Sequence, residues 1–216
     1  MLPRFEELAR SPDPRVEELA LALAAEFREV DAAAALAELD ALAVEVAAEP
    51  GGSPEAEVEA LRAVLGERHG FAGDRDDYDD PDNSMLALVL ERRRGLPIAL
   101  SVLWVAVARR AGVALDGVGL PGHYVAGHFG AEPPLLVDPF AGGGGVRPDV
   151  ARALVRPWSA HETALRMLNN LVGSYTARHD LGRAIRAAQL RLALPLGDDE
   201  EEALEAQLRG LQARLN

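Results

Sequence analysis

Residues 83–140 decide the fold of this chain. They include NSMLALVLERRRGLPIALSVLWVAVARRAG at 83–112, PGHYVAGHF at 121–129 and LLVDPF at 135–140. Residues 97–111 are apolar on almost every face, which is typical of a helix buried on all sides. Pro97 suits the first helical turn, and Gly112 suits a left-handed C-terminal cap. After this helix the pattern predicts short strands over 115–119, 123–129 and 134–138.

A histidine and an aspartate stand at the ends of two of these predicted strands. His123 opens the second strand, and Asp138 closes the third. An imidazole beside a carboxylate supplies a general base and the group that orients it. Two other roles also fit the pair: a structural hydrogen bond that fixes strand register, and a binding pocket. The chain has no cysteine, which excludes a thiolate nucleophile, a disulfide and a thiolate metal site.

Composition limits the partners that the protein can have. The net charge of −13 argues against nucleic acid, because phosphate contacts rely on clustered Lys and Arg. We read the run Arg92-Arg93-Arg94 as the cationic last turn of a helix. No apolar segment reaches the ~18 residues that a membrane span needs, and the N-terminus lacks an apolar signal core. His128 faces away from His123 by strand alternation, which argues against a shared metal site. We expect a cytoplasmic protein without membrane contact, metal or cofactor.

The chain divides into three predicted regions. Region 1–82 is helical and ends in an acidic loop at 74–82, DRDDYDDPD. This loop lacks the central glycine and closing glutamate of an EF-hand, so we predict a solvated loop. Region 83–159 is the core, in which the glycine run 142–145 is read as a flexible turn. Region 160–216 returns to helix as a helix–turn–helix unit with one further helix.

Several segments together carry a family resemblance: Asn83-Ser84, LERRRGLPI at 90–98, Gly117, PGHYV at 121–125, VDPF at 137–140, Gly142-Gly143 and MLNNL at 167–171. The chain resembles the SirB-type family of bacterial proteins. The resemblance implies an α+β fold with a helical N-terminal part. It also implies a transglutaminase-like (papain-like) core, in which a small antiparallel sheet packs on a buried helix. The tail is expected to be helical, similar to a tetratricopeptide repeat (TPR), and to pack on the core.

A more distant resemblance, to active transglutaminases, bears on function. Those enzymes carry a catalytic cysteine near the start of a buried helix that ends at a glycine. Matching the helix on Gly95 and Gly112 puts Pro97 at or next to the cysteine position, His123 at the base and Asp138 at the orienting carboxylate. Proline offers no nucleophile. The resemblance therefore implies a non-catalytic protein that binds another protein, with a regulatory role. The candidate binding residues are Asn83, Pro97, His123, Tyr124 and Asp138.

An enzymatic alternative uses Ser101 as the nucleophile. Ser101 follows Pro97 by four residues, so it projects from the same helix face about 5–6 Å further along. A Ser101-His123-Asp138 triad would make the protein a hydrolase or an acyltransferase. In the competing interpretation the Ser101 hydroxyl is buried and donates to the carbonyl of Pro97. The enzyme requires Ser101 Oγ to lie within hydrogen-bond distance of the His123 ring in an open cleft.

Overall fold

The computed structural model describes residues 2–146 and 155–215. Its N-terminal part is helical, as the sequence predicted. The Ser53 hydroxyl accepts a hydrogen bond from the Ala56 N–H at 3.2 Å and caps the fourth helix. The helices of this part are α1 (Phe5–Ala9), α2 (Val16–Ala25), α3 (Ala32–Ala47) and α4 (Pro54–Leu61), and α4 continues as a π-helical segment over Arg62–Arg68.

The helix α6 (Pro97–Ala111) is the centre of the core. It begins and ends where the sequence predicted. Pro97 occupies its first turn, and Gly112 caps it with a left-handed φ of 81°. Leu100 and Trp104 are both 0% exposed, and other faces of the helix are buried as well. The helix is therefore buried on almost all sides, as its uniformly apolar sequence requires.

A short helix and a two-residue strand pair lead into α6. The helix is α5 (Leu86–Arg92), which ends because Arg93 adopts a left-handed conformation with φ 59°. The strand pair is parallel and joins β1 (Ala72–Gly73) to β2 (Arg94–Gly95). The three arginines that we predicted in the last turn of one helix therefore occupy three positions. Arg92 ends α5, Arg93 caps it, and Arg94 begins β2.

A four-stranded antiparallel sheet follows α6. Its strand order is the order of the sequence, so each strand pairs with the next one along the chain. The first pair is a tight hairpin in which Leu120 lies opposite His123. The glycine run 142–145 is a turn only in part, because Gly144 already belongs to the edge strand and pairs with Asp138 of the neighbouring strand. The strands are β3 (Leu115–Leu120), β4 (His123–His128), β5 (Leu135–Asp138) and β6 (Gly144–Val146).

The two faces of the sheet pack against different parts of the protein. One face, which includes Tyr124 and Ala126, joins the main core that contains α6. The other face, which includes Val125 and Leu120, forms a separate small apolar cluster. His123 lies opposite Leu120 in the hairpin and alternates with Tyr124, so it shares the face of the small cluster.

The C-terminal part consists of three helices, among which the first two form an antiparallel hairpin. The Ser159 hydroxyl and the Glu162 carboxylate form a reciprocal capping box at the start of this part. The helices are α7 (Ala160–Ala177), α8 (Leu181–Arg191) and α9 (Asp198–Ala213). The predicted α+β fold, with helices around a small antiparallel sheet, is confirmed. Within residues 2–146 and 155–215, no helix combines the length and the apolar character needed to cross a bilayer.

Candidate functional site

The His123–Asp138 pair lies where two neighbouring strands meet at one end of the sheet. His123 is the first residue of β4 and Asp138 is the last residue of β5, so antiparallel pairing places them close together. His123 Nε2 lies 2.9 Å from Asp138 Oδ2. The other carboxylate oxygen, Asp138 Oδ1, accepts the Phe140 N–H at 2.9 Å, which fixes the orientation of the carboxylate. The structure thus joins the two residues that the sequence placed at strand ends.

Phe140 packs against this pair, and one aromatic and one cationic side chain pack against Phe140 in turn. The Phe140 ring stands perpendicular to the imidazole, with 6.5 Å between ring centroids. Tyr78 packs edge-on against Phe140 at 5.9 Å, and the Arg75 guanidinium lies 5.2 Å from the Phe140 centroid. The His123 side chain is 33% exposed and the Asp138 side chain 16%. We call these five residues the His123 surface.

The start of α6 lies next to the His123 surface. Phe140 covers Gly73, where an added Cβ would clash with the ring carbons. Gly73 pairs with Gly95 in the small parallel sheet, and Pro97 follows soon after in the chain. Pro97 is buried and has no N–H to donate. The first turn of α6 therefore brings no nucleophilic side chain to the His123 surface.

Ser101 does not join the His123–Asp138 pair by any hydrogen bond. Its side chain is fully buried, and its Oγ has no hydrogen-bond partner within the described part of the chain. The expected bond to the Pro97 carbonyl is therefore not formed. The helix that carries Ser101 packs on the sheet face of Tyr124, inside the main core. This geometry does not supply the open cleft that a serine triad requires.

Tyr124 makes its polar contact away from the His123 surface. Its hydroxyl lies 2.7 Å from Thr163 Oγ1 in α7, and its ring meets Trp158 edge-on at 5.6 Å. Burial raises the pKa of Tyr124 to about 12. Tyr124 thus anchors the C-terminal helices to the sheet through a neutral hydroxyl.

Asn83 ties the acidic loop to the start of α6. Its Nδ2 donates to the Asp77 carbonyl at 2.8 Å and to Asp74 Oδ2 at 3.2 Å. Its own backbone carbonyl accepts the Leu96 N–H at 2.8 Å, one residue before α6 begins. Asn83 is fully buried, so its side chain is not accessible to a binding partner.

The acidic loop is exposed to solvent over residues 75–79, as expected of a solvated loop, and ion pairs also dock it on the protein. Arginines from three different parts of the chain hold its aspartates. The backbone N–H of Asp77 also lowers the pKa of Asp74 by hydrogen bonding to its carboxylate. Because Arg75 and Tyr78 belong to this loop, docking places them on the His123 surface. The ion pairs are Arg28–Asp82 at 2.6 Å, Arg92–Asp80 at 2.9 Å and Arg178–Asp77 at 2.6 Å.

His128 has a structural role that the sequence did not reveal. Its Nε2 lies 2.7 Å from a Glu57 carboxylate oxygen, and its Nδ1 accepts the Gly130 N–H at 3.1 Å. Both ring nitrogens are therefore occupied, and the side chain is buried. Across the described residues, no group of three or more His, Asp or Glu side chains is placed to hold a metal ion.

Comparison with known proteins agrees with the fold. The model of the transglutaminase-like superfamily matches residues 33–186, which is most of the chain. A UPF0162 protein of Xylella fastidiosa is 37% identical over 153 residues, covering 62% of this chain and 54% of that protein. The chain thus spans about half the length of that relative. No solved structure matches the chain significantly.

Two further relatives differ in how much of the chain they cover. The mouse F-box only protein 21 is 40% identical over 68 residues, which is 32% of this chain and 11% of that protein. A UPF0162 protein of Pseudomonas aeruginosa is 31% identical over 214 residues, which is 91% of this chain and 78% of that protein. The long match and the superfamily model together show that this chain belongs to the transglutaminase-like superfamily and, within it, to the UPF0162 group.

Proposed function

We propose that this protein is a transglutaminase-like protein without a nucleophile, and that it acts by binding another protein at the His123 surface. One observation carries the proposal: the His123–Asp138 pair is intact and accessible, while the chain has no cysteine and buries Ser101. In this interpretation Pro97 replaces the catalytic cysteine of active relatives. The SirB-type resemblance, the TPR-like tail, a regulatory role and a cytoplasmic location belong to the same proposal.

The hydrogen bond between the two residues defines what His123 offers a partner. If Asp138 accepts the Nε2–H, the neutral ring leaves Nδ1 as a hydrogen-bond acceptor. In an enzyme that nitrogen would take the proton of the nucleophile. In a binding protein it can accept a backbone N–H of the partner, beside the apolar ring of Phe140. The cation of Arg75 then favours a carbonyl or carboxylate on the same partner segment.

The serine hydrolase is the competing interpretation, and it can be tested directly. Purified protein is treated with a fluorophosphonate probe, and its intact mass is measured, with Ser101→Ala and His123→Ala as controls. We expect no adduct on the unmodified protein, because the Ser101 hydroxyl is inaccessible. A single adduct that disappears in both variants would establish the serine enzyme and overturn the proposal.

Partner binding is tested by crosslinking from the His123 surface in cells. The photoreactive residue p-benzoylphenylalanine replaces Tyr78, which is 47% exposed, or Val44, which is 71% exposed and lies on α3, a helix that contributes no residue to the His123 surface. We expect discrete crosslinks from position 78, and we expect His123→Ala to suppress them. Any crosslinks from position 44 should be the same with and without His123→Ala. Crosslinks from position 78 that persist unchanged in His123→Ala would contradict binding at this surface.

A further inference from the structure

A groove of about 900 Å³ runs between the helices α7 and α9. The last residue of α8, Arg191, also lines it, and we call it the α7–α9 groove. Its lining residues from α7 are Asn169, Val172, Gly173, Thr176 and Ala177, and those from α9 and its C-terminal end are Leu204, Gln207, Gly210, Leu211 and Arg214. It shares no residue with the His123 surface, so its role is independent of the proposed function.

The charge of this groove is opposite to that of the protein. The chain as a whole carries a net charge of −13. Among the described residues that line the groove, however, none is Asp or Glu, while Arg191 and Arg214 are both present. A local cationic site in an acidic protein indicates a ligand with negative charge.

Arg191 is buried without a counterion among the described residues. Its residue exposure is only 2%, and its Nη1 donates a hydrogen bond to Asn169 Oδ1 at 2.9 Å. Its Nε and Nη2 have no hydrogen-bond partner in the part of the chain that the structure describes. Burial also lowers the pKa of Arg191. A buried charge without a partner is costly, so the free protein is incompletely satisfied at this position.

The two unused nitrogens of Arg191 define the shape of the missing partner. Nε and Nη2 lie on one edge of the planar guanidinium, and their N–H groups point in parallel. Such an edge matches the two oxygens of one carboxylate in a bidentate pair. A second buried polar atom of the groove, Thr176 Oγ1, is also without a hydrogen-bond partner among the described residues. This hydroxyl can form a hydrogen bond with a polar group of the ligand next to the carboxylate.

The remaining walls are suited to an apolar chain. Val172, Leu204 and Leu211 supply aliphatic surface. Two glycines, Gly173 and Gly210, lie inside the facing helices, and a Cβ added to either would meet no atom within 4 Å. Glycine in a helix interior is less stabilising than alanine. These positions therefore leave open space at a cost in helix stability.

We propose that the α7–α9 groove binds a carboxylate that terminates an apolar chain, such as the C-terminus of an apolar peptide, through a bidentate pair with Arg191. The apolar walls hold the side chains that precede the carboxylate. Arg214, at the C-terminal end of α9, adds a second positive charge. The carboxylate supplies the counterion that the buried guanidinium lacks in the free protein.

The test uses the full chain and the dipeptide N-acetyl-leucyl-leucine, with its neutral amide, N-acetyl-leucyl-leucinamide, as the matched probe. Binding is followed by the Arg Nε–Hε signals in NMR spectra and by the shift in melting temperature. We expect the acid to move the Arg191 signal and to raise the melting temperature, and the amide to bind at least about tenfold more weakly. Equal binding of the acid and the amide, or no binding of either, would overturn the proposal.

Protein variants separate this site from a merely structural arginine. Arg191→Met should abolish binding of the acid and leave the melting temperature of the free protein unchanged or higher, because an apolar side chain replaces a buried charge. Arg209→Met is the control, since Arg209 is exposed and pairs with Glu205 on α9. Retained binding in Arg191→Met would refute the assignment.

A further variant keeps the test valid if Arg191→Met does not fold. Gly210→Leu places a side chain in the open space of the groove and favours the helix. It should block the acid while the protein stays folded, and unchanged binding in this variant would contradict the proposed site. Inorganic phosphate serves as the last probe: a response to phosphate that equals the response to the acid would replace the carboxylate site with a general anion site.

Discussion

Replacement of Asp138 by asparagine is the sharpest test of the His123 surface. The carboxylate makes two hydrogen bonds, to His123 Nε2 and to the Phe140 N–H, both at 2.9 Å. An asparagine side chain at this position would keep the shape and one acceptor oxygen. It would lose the negative charge, and its amide nitrogen would face one of the two donors. The change therefore removes one charge-assisted hydrogen bond without creating a cavity.

The loss of stability follows from the strength of that bond and from its exposure. A hydrogen bond to a charged group contributes about 1.5–3 kcal/mol. His123 is 33% exposed, so water takes over part of the interaction when the bond is lost. We therefore expect Asp138→Asn to lower the free energy of unfolding by about 1–2 kcal/mol. For a chain of this size that corresponds to a decrease in melting temperature of roughly 2–8 °C.

The assay is urea unfolding at neutral pH, followed by circular dichroism. Asp79→Asn is the matched control, because Asp79 lies in the acidic loop with an exposed side chain. NMR of the His123 ring nitrogens reports the tautomer, which we expect Asp138→Asn to change and Asp79→Asn to leave intact. A loss below about 0.5 kcal/mol with an unchanged tautomer would refute the reasoning, since the pair would then contribute nothing measurable.

Three further predictions test the core, a turn and the response to acid. Leu100→Ala should cost roughly 2–5 kcal/mol in urea unfolding, because the side chain is fully buried in α6; a cost below about 1 kcal/mol would contradict that burial. Gly143→Ala should cost roughly 2–4 kcal/mol, since its φ is +90° and its Cβ would clash with an indole carbon of α6. Gly144→Ala, which meets no atom within 4 Å, should be nearly neutral in the same assay, and equal costs at the two glycines would contradict the turn geometry. The hydrogen bond from Arg156 lowers the pKa of Glu162 from 4.5 to about 2. The ionised Glu162 carboxylate therefore contributes its full stabilisation above pH 4.5, and this contribution is lost as the pH falls through about 2. The difference in unfolding free energy between the unmodified protein and Glu162→Gln should narrow over that range; a constant difference would show that Glu162 titrates normally.

Local patterns predicted the elements that depend on neighbouring residues. The apolar run of α6 indicated a buried helix, and Pro97 and Gly112 marked its ends correctly, because the first helical turn needs no N–H from proline and the cap needs a left-handed residue. His123 and Asp138 were expected at strand ends, and β4 begins and β5 ends there. The pairing of adjacent strands then brings the two side chains together.

Long-range charge pairing was not predictable in the same way. The acidic loop is solvated, as its sequence predicted, but the sequence did not show that Arg178 binds Asp77 across a separation of 101 residues. Glu57 likewise meets His128 across 71 residues. Nothing in the local sequence selects which distant arginine or glutamate reaches a given side chain. The composition of the His123 surface, in which this loop supplies Arg75 and Tyr78, therefore came from the fold.

The sequence by itself determined the fold class, the buried helix and the absence of a cysteine nucleophile, because periodicity, capping residues and composition act locally or on the whole chain. Only the tertiary structure decided which polar groups meet. It buried Ser101 without a hydrogen bond to His123, and it left Arg191 buried without a counterion among the described residues. The physical reason is that burial and side-chain pairing depend on how elements far apart in the sequence pack together.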